Sequence, residues 1–262
     1  MLKVRVIPTL LWKNVGLVKG VGFDSWRRVG TVMPAIKVYN TREVDELVLL
    51  DITATEEHRT PDYQDIEDFS AECFVPLTVG GGIRCVDDIR RLLRAGADKV
   101  AINTAAFEQP SLINDAADRF GSQCVVASID ARKLEHGRYE CFSRCGMQPT
   151  GREVASWARE MEQRGAGEIL ITSVERDGTM QGYDLNLVKL VADSVNTPVI
   201  ASGGAGDYQH MFEAIDQAKA SAVAAASIFH FTQQTPLEAK QFLATKGVPV
   251  RNVNIRAEQI GN

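Results

Sequence analysis

The sequence predicts an α/β chain folded as a (β/α)8 TIM barrel built from two duplicated half-barrels. Three observations lead there. Short apolar runs alternate with amphipathic stretches eight times along 262 residues, and α/β barrels commonly occupy about 250 residues as one unit. Most of the runs are continuously apolar, as expected of parallel strands covered on both faces. A third observation is a pattern that occurs twice, at Thr78–Ala106 (TVGGGIRCVDDIRRLLRAGADKVAINTAA) and Ile200–Ile228 (IASGGAGDYQHMFEAIDQAKASAVAAASI). Gly81 and Gly203 lie 122 residues apart, and Asn103 and Ala226 lie 123 apart. A repeat at half the chain length marks duplication, whereas an open doubly wound sheet predicts neither the repeat nor eight units. No linker or low-complexity segment interrupts the pattern, so residues 1–262 read as one domain.

The elements follow in order. KVRVIPTL (3–10) forms the first strand, and a Gly-containing connection from Trp12 to Thr31, carrying Lys13 and Lys19, hangs over the barrel mouth. A loop of that length at that face reads as a lid. Further strands are expected at 46–52, 75–80, 99–103, 124–130, 168–173, 197–202 and 221–227. Helices occupy VDDIRRLLRAG (86–96), SLINDAADRFG (111–121), REVASWAREMEQRG (152–165) and NLVKLVADSV (186–195). Three of them run into a glycine, which suits a left-handed helix end.

Composition narrows the function class. Hydrophobic residues make up 45% and charged residues 24%, with a net charge of −5 and no Lys/Arg block, so nucleic acid is not an expected partner. An anionic ligand would be held by local loops rather than by a global basic field. No signal peptide and no membrane span are read from the sequence. Five cysteines without a CxxC (Cys73, Cys85, Cys124, Cys141 and Cys145) fit free thiols in a reducing cytoplasm. The four histidines are dispersed without ligand spacing, so no metal site and no cofactor are expected.

Glycines at strand ends let backbone N–H groups approach an anion, and a following helix adds its positive end. Two such cradles imply a ligand with a phosphate at each end. Asn103 and Thr104 close the first cradle; Ala226 and Ser227 close the second, to which the Asp177-Gly178-Thr179 turn is expected to add free N–H groups. Asp51 and Asp130 end apolar strands, where a carboxylate faces the mouth as a general acid or base, or else caps a turn. At the opposite ends of the strands stand Arg5, Glu46, Lys99 and Glu168. They would form a neutral inward ring, since isolated charges there would be costly, or would point to solvent.

DELVLLDITA (45–54), LTVGGGIR (77–84), RAGADKVAINTAA (94–106), RGAGEILITS (164–173), RDGTMQGYD (176–184) and VIASGGAG (199–206) closely resemble the HisF-type cyclase subunit of imidazole glycerol phosphate synthase. That resemblance implies an elongated aminoimidazole carboxamide ribonucleotide with two phosphates as substrate. It also implies a glutaminase partner docked at the barrel floor, supplying ammonia. It assigns Gly82, Asn103 and Thr104 to the first phosphate, and Asp177, Gly178, Gly203, Gly204, Ala226 and Ser227 to the second. Lys19 matches the lid lysine, Thr172 and Ser202 match pocket residues, and Arg5, Glu46, Lys99 and Glu168 match the ammonia gate.

One departure stands out. The family carries two facing carboxylates, of which Asp130 is retained, while the position of the other is Leu11 in TLLWKNVGLVKG. Thr9, Trp12, Val15 and the 141–149 segment also depart. General acid–base catalysis contributes about 10²–10⁴-fold, so ring closure should be nearly silenced. An LLW-type segment is similar to diverged copies that pass ammonia toward acetamidino sugars of surface polysaccharides, together with a second glutaminase and a sugar amidotransferase. The alternatives are a working cyclase in histidine biosynthesis, in which a water or Asp51 replaces the missing acid, and a non-catalytic subunit that activates its glutaminase.

Overall fold

The computed structural model describes residues 3–14 and 16–251, so Val15 lies outside the described residues. Strand β1 (Arg5–Lys13) leads into an antiparallel hairpin of β2 (Gly16–Val21) and β3 (Asp24–Gly30), followed by α1 (Val32–Thr41). The chain continues through β4 (Leu47–Asp51), α2 (Tyr63–Ala71), β5 (Leu77–Gly80), α3 (Val86–Arg94) and β6 (Lys99–Ile102). The short α4 (Thr104–Glu108), α5 (Ser111–Phe120) and β7 (Val125–Lys133) come next. A second hairpin, β8 (Tyr139–Ser143) and β9 (Gln148–Glu153), extends β7 before α6 (Val154–Gln163). The remainder is β10 (Glu168–Ser173), α7 (Leu185–Ala192), β11 (Val199–Ser202), α8 (Tyr208–Asp216), β12 (Ala222–Ala225), the short α9 (Ser227–Phe231) and α10 (Pro236–Thr245).

Eight strands pair in parallel in the order β1, β4, β5, β6, β7, β10, β11, β12, and β12 returns to β1 to close the barrel. The register is local: Thr172 of β10 lies opposite both Asp130 of β7 and Ser202 of β11. Each expected strand is present, shifted by up to a few residues at its ends. The expected helix ends hold too: Gly96, Gly121 and Gly165 all have φ between 90° and 100°. Helix starts are fixed by side chains that accept from unpaired backbone N–H groups. Asp184 accepts from the Leu187 N–H at the start of α7, and Thr235 and Glu238 form a capping box on α10.

Alternation along β1 sets the two sides of the barrel wall. Val6 and Leu10 pack outward in the layer between sheet and helices, while Ile7 joins an inner cluster with Val48, Val126, Leu170 and Ile200. Each such side chain contributes roughly 1.5–3 kcal/mol when fully buried. The inner cluster fills the barrel's waist and leaves side-chain space only at its two ends. Thr9 and Leu11, two and four residues beyond Ile7, fall on the inner side above it, and Arg5 falls below.

Three features depart from the sequence expectation. The Trp12–Thr31 connection is a β-hairpin, not an irregular loop. Its outer strand is largely exposed, so no alternating apolar pattern announces it, and tertiary contacts hold it instead. Gly22 N–H donates to the Asp177 carbonyl at 2.8 Å, and the Arg27 guanidinium stacks 3.8 Å from the centre of the Phe231 ring. The β8–β9 hairpin and the two one-turn helices α4 and α9 were likewise not expected, the helices being too short for a periodic signal. All five cysteines are free. Among the described residues no helix is long and apolar enough to cross a membrane.

Candidate active site at the barrel mouth

At the floor, the strand starts bring Arg5, Glu46, Lys99 and Glu168 into one closed ring of alternating charge. Arg5 reaches Glu46 and Glu168, both at 2.6 Å, while Lys99 reaches them at 2.9 and 2.8 Å. Thr78 Oγ1 donates a further bond to Glu46 at 2.7 Å. The ring is therefore inward-facing, and each charge has two opposite neighbours, which offsets the cost of taking it from water. Its carboxylates favour the charged form of Arg5, whose pKa is raised although burial alone acts to lower it.

At the mouth, the cavity has two lobes. The first is lined by Gly81, Gly82, Asn103 and Thr104, the second by Gly178, Gly203, Gly204, Ala226 and Ser227. Leu11, Phe23, Leu50, Ser128 and Asp130 line both and form the waist between them. Thr172 and Ser202 line the second lobe. The sequence-expected cradle residues are thus gathered at two ends of one cavity.

The two cradles share backbone geometry as well as sequence. Asn103 before α4 (φ −116°, ψ −85°) and Ala226 before α9 (φ −122°, ψ −65°) adopt nearly the same conformation. No side chain caps either helix. Glycine is obligatory where the turns fold back on their neighbours: Gly81 has φ +104° and Gly204 φ +109°. A Cβ on Gly81 would lie 2.1 Å from the Asp51 carbonyl oxygen, and one on Gly204 2.2 Å from that of Gly182. Four buried side-chain atoms lack a partner among the described residues: Thr9 Oγ1, Asn103 Oδ1, Ser173 Oγ and Ser227 Oγ. Native structures leave few such atoms, and three of these four belong to residues lining the mouth.

Asp130 sits at the waist. Burial pushes its carboxyl up to about 7, the Asp177 carboxylate adds to the rise, and Arg132 opposes it. Asn103 Nδ2 donates to Asp130 Oδ2 at 3.0 Å, which orients the carboxyl. The Leu11 side chain shares that waist and is itself only 8% exposed. Asp51 belongs to a different arrangement. Its Oδ1 accepts from Thr53 N, Ala54 N and Thr53 Oγ1, all at 3.0 Å, and Arg59 pairs with its Oδ2 at 3.1 Å. It caps its own turn, and it also lines the first lobe.

Lys19, on β2 of the hairpin, lines the second lobe and is buried there, its Nζ pairing with Asp177 Oδ2 at 2.5 Å. One expectation needs correction: only part of the Asp177-Gly178-Thr179 turn has free N–H groups. Asp177 N donates to the Ser173 carbonyl and Thr179 N to the Arg176 carbonyl, so neither is available to an anion.

Several site residues had no sequence signal. Phe23 and Trp26 reach the first lobe from the hairpin. Cys145 lines that lobe too, with Sγ donating to the Ile52 carbonyl at 3.1 Å and its thiol pushed up to about 12 by burial. Each is brought in by chain distant in sequence, although the 141–149 departure pointed toward Cys145.

Set against known families, residues 5–235 match the one described as histidine biosynthesis protein. The match runs from the first residue of β1 to the threshold of α10 and includes all eight barrel strands.

Proposed function

The chain belongs to this histidine biosynthesis family as a HisF-type barrel, and within it we propose an ammonia-accepting synthase subunit of a two-component glutamine amidotransferase. The subunit has diverged from ring closure toward ammonia transfer in surface-polysaccharide amino-sugar synthesis. One observation carries the divergence: Leu11 occupies the waist shared with Asp130, and the other acids lining the cavity are engaged, Asp51 by Thr53, Ala54 and Arg59 and Asp177 by Lys19. A leucine transfers no proton, so Asp130 acts alone.

The intact parts support a synthase rather than a structural copy. The floor ring of Arg5, Glu46, Lys99 and Glu168 suits an entry that opens when a docked glutaminase disturbs it. The two matched cradles suit a ligand with a phosphate at each end, met by Gly82, Asn103 and Thr104 at one and by Gly203, Gly204, Ala226 and Ser227 at the other. Lys19 then anchors the hairpin through Asp177 and reaches substrate only if that pair opens. Asp130, with its carboxyl near 7, exchanges a proton in either direction at neutral pH. This is what a single group must do when amine addition and loss of the leaving group follow one another.

A second reading, the ring-closing cyclase of histidine biosynthesis, is favoured by the family match itself. A histidine auxotroph lacking its own cyclase subunit separates the two. The divergent reading expects no rescue at normal growth rate, and full rescue refutes it. A purely regulatory subunit is tested on the purified pair: ammonia incorporated into any acceptor rules that role out.

A further inference from the structure

The first lobe does not end at its cradle. Beyond Gly82 and Thr104 it continues into a smaller annex that shares Thr55, Gly82, Ile83 and Thr104 with it. The annex is lined by His58, Arg59, Arg84 and Arg144, with Glu108 as its one acid. Two of these residues are held on left-handed backbone, His58 at φ +53° and Arg144 at φ +50°. Such conformations are costly for residues other than glycine and cluster where a side chain must be aimed. Arg144 is tied to the cradle directly, since its backbone N–H donates to Thr104 Oγ1 at 3.0 Å.

The cations are partly matched inside the protein. Arg144 pairs with Glu108 at 2.9 Å, and Arg59 pairs with Glu57 at 2.5 Å and with Asp51. Arg84 is exposed, and among the described residues its guanidinium makes no ion pair. The annex therefore carries surplus positive charge next to a cradle that already suits a phosphate. The second lobe offers no counterpart: its one cation is Lys19, buried against Asp177. The duplicated halves have diverged at this point.

A terminal phosphate monoester would leave the annex unfilled. The geometry points to a ligand whose first end is a diphosphate, its inner phosphoryl group in the Gly82–Thr104 cradle and its outer one in the annex, bound by Arg84 and Arg144. This rests on the cradle reading of the proposed function and narrows its substrate to diphosphate compounds. Guanidinium groups suit the role because they bond phosphate oxygens through two parallel N–H donors.

Calorimetric titration of the full chain with inorganic phosphate and with inorganic pyrophosphate tests it. Pyrophosphate should bind about tenfold tighter or better, as one or two charge-assisted bonds allow. Arg84→Ala, at an exposed position whose guanidinium makes no ion pair among the described residues, should remove much of that preference with no change in the melting curve. Arg84→Ala with Arg144→Ala should remove the rest and leave phosphate affinity unchanged. Arg94→Ala, in the neighbouring groove beside Tyr63 and outside the annex lining, should alter neither ion. Phosphate binding with no preference for pyrophosphate overturns the annex alone, as does an Arg94→Ala loss equal to that of Arg84→Ala. Failure of both ions to bind overturns the cradle reading and the annex with it.

Discussion

Asp130→Asn should stabilise this protein at neutral and alkaline pH while abolishing transfer. The carboxyl is held near 7 in the folded chain, against an ordinary value of 3.8, because it is buried and faces Asp177. Its pKa is raised on folding, so the folded state favours the protonated acid. The associated stability is present in full below about pH 4 and is lost as pH rises toward and through 7. At 1.36 kcal/mol per pH unit, the interval corresponds to at most about 4 kcal/mol lost by pH 8. Asparagine keeps the size and the oxygen that accepts from Asn103, and it carries no charge. At pH 4 the variant should therefore match wild type, and by pH 8 it should exceed it by up to about 4 kcal/mol. For a chain of this length that is a rise of roughly 8–16 °C in melting temperature at the upper limit. Thermal unfolding of both proteins from pH 4 to 9 isolates the effect, since other titrating groups cancel in the difference. A pH-independent difference, or a variant less stable at pH 8, would refute the assignment of Asp130 as a desolvated, strained carboxyl.

Four further outcomes follow from named contacts. Lys99→Ala leaves Glu46 and Glu168 to share Arg5 alone, and a denaturant midpoint should report a loss of about 3 kcal/mol, near the lower value for breaking a buried pair; an unchanged midpoint would mean the ring carries no net stability. Thr9→Val replaces a buried hydroxyl that has no partner among the described residues, so melting should show stability unchanged or raised by about 1 kcal/mol; a clear loss would place a hidden partner on Thr9. Gly204→Ala forces a Cβ against the Gly182 carbonyl at φ +109°, so a loss of about 1–3 kcal/mol in chemical unfolding should accompany weaker phosphate binding. Leu11→Asp alone should restore little ring closure, because on the proposed reading Thr9, Trp12 and the lid segment have diverged too; recovery to within about tenfold of a working cyclase, measured on the purified pair, would contradict segment-wide divergence.

The barrel and its paired glycine turns were legible in the sequence because both are written in local signals: continuous apolar runs, glycine clusters and a spacing repeated at half the chain. What escaped was set by partners far along the chain. Asp51 and Asp130 both end apolar runs and look alike as sequence. Both line the first lobe, but only in three dimensions does Asp51 turn back onto Thr53, Ala54 and Arg59 while Asp130 sits at the waist shared by both lobes. The floor charges could have pointed in or out, and the ring is fixed by pairing across strands up to 163 positions apart, Arg5 with Glu168. The hairpin over the mouth was invisible because its outer strand is exposed and its anchor, Lys19 with Asp177, spans 158 positions.

The proposed loss of the second carboxylate is tested most directly by the rate of ring closure. The purified chain, paired with its glutaminase, would be given the elongated aminoimidazole carboxamide ribonucleotide with glutamine, and imidazole product measured. A lone Asp130 predicts a rate about 10²–10⁴-fold below that of a working cyclase. A rate within tenfold of the working enzyme would contradict it, and would place this barrel in histidine synthesis despite Leu11.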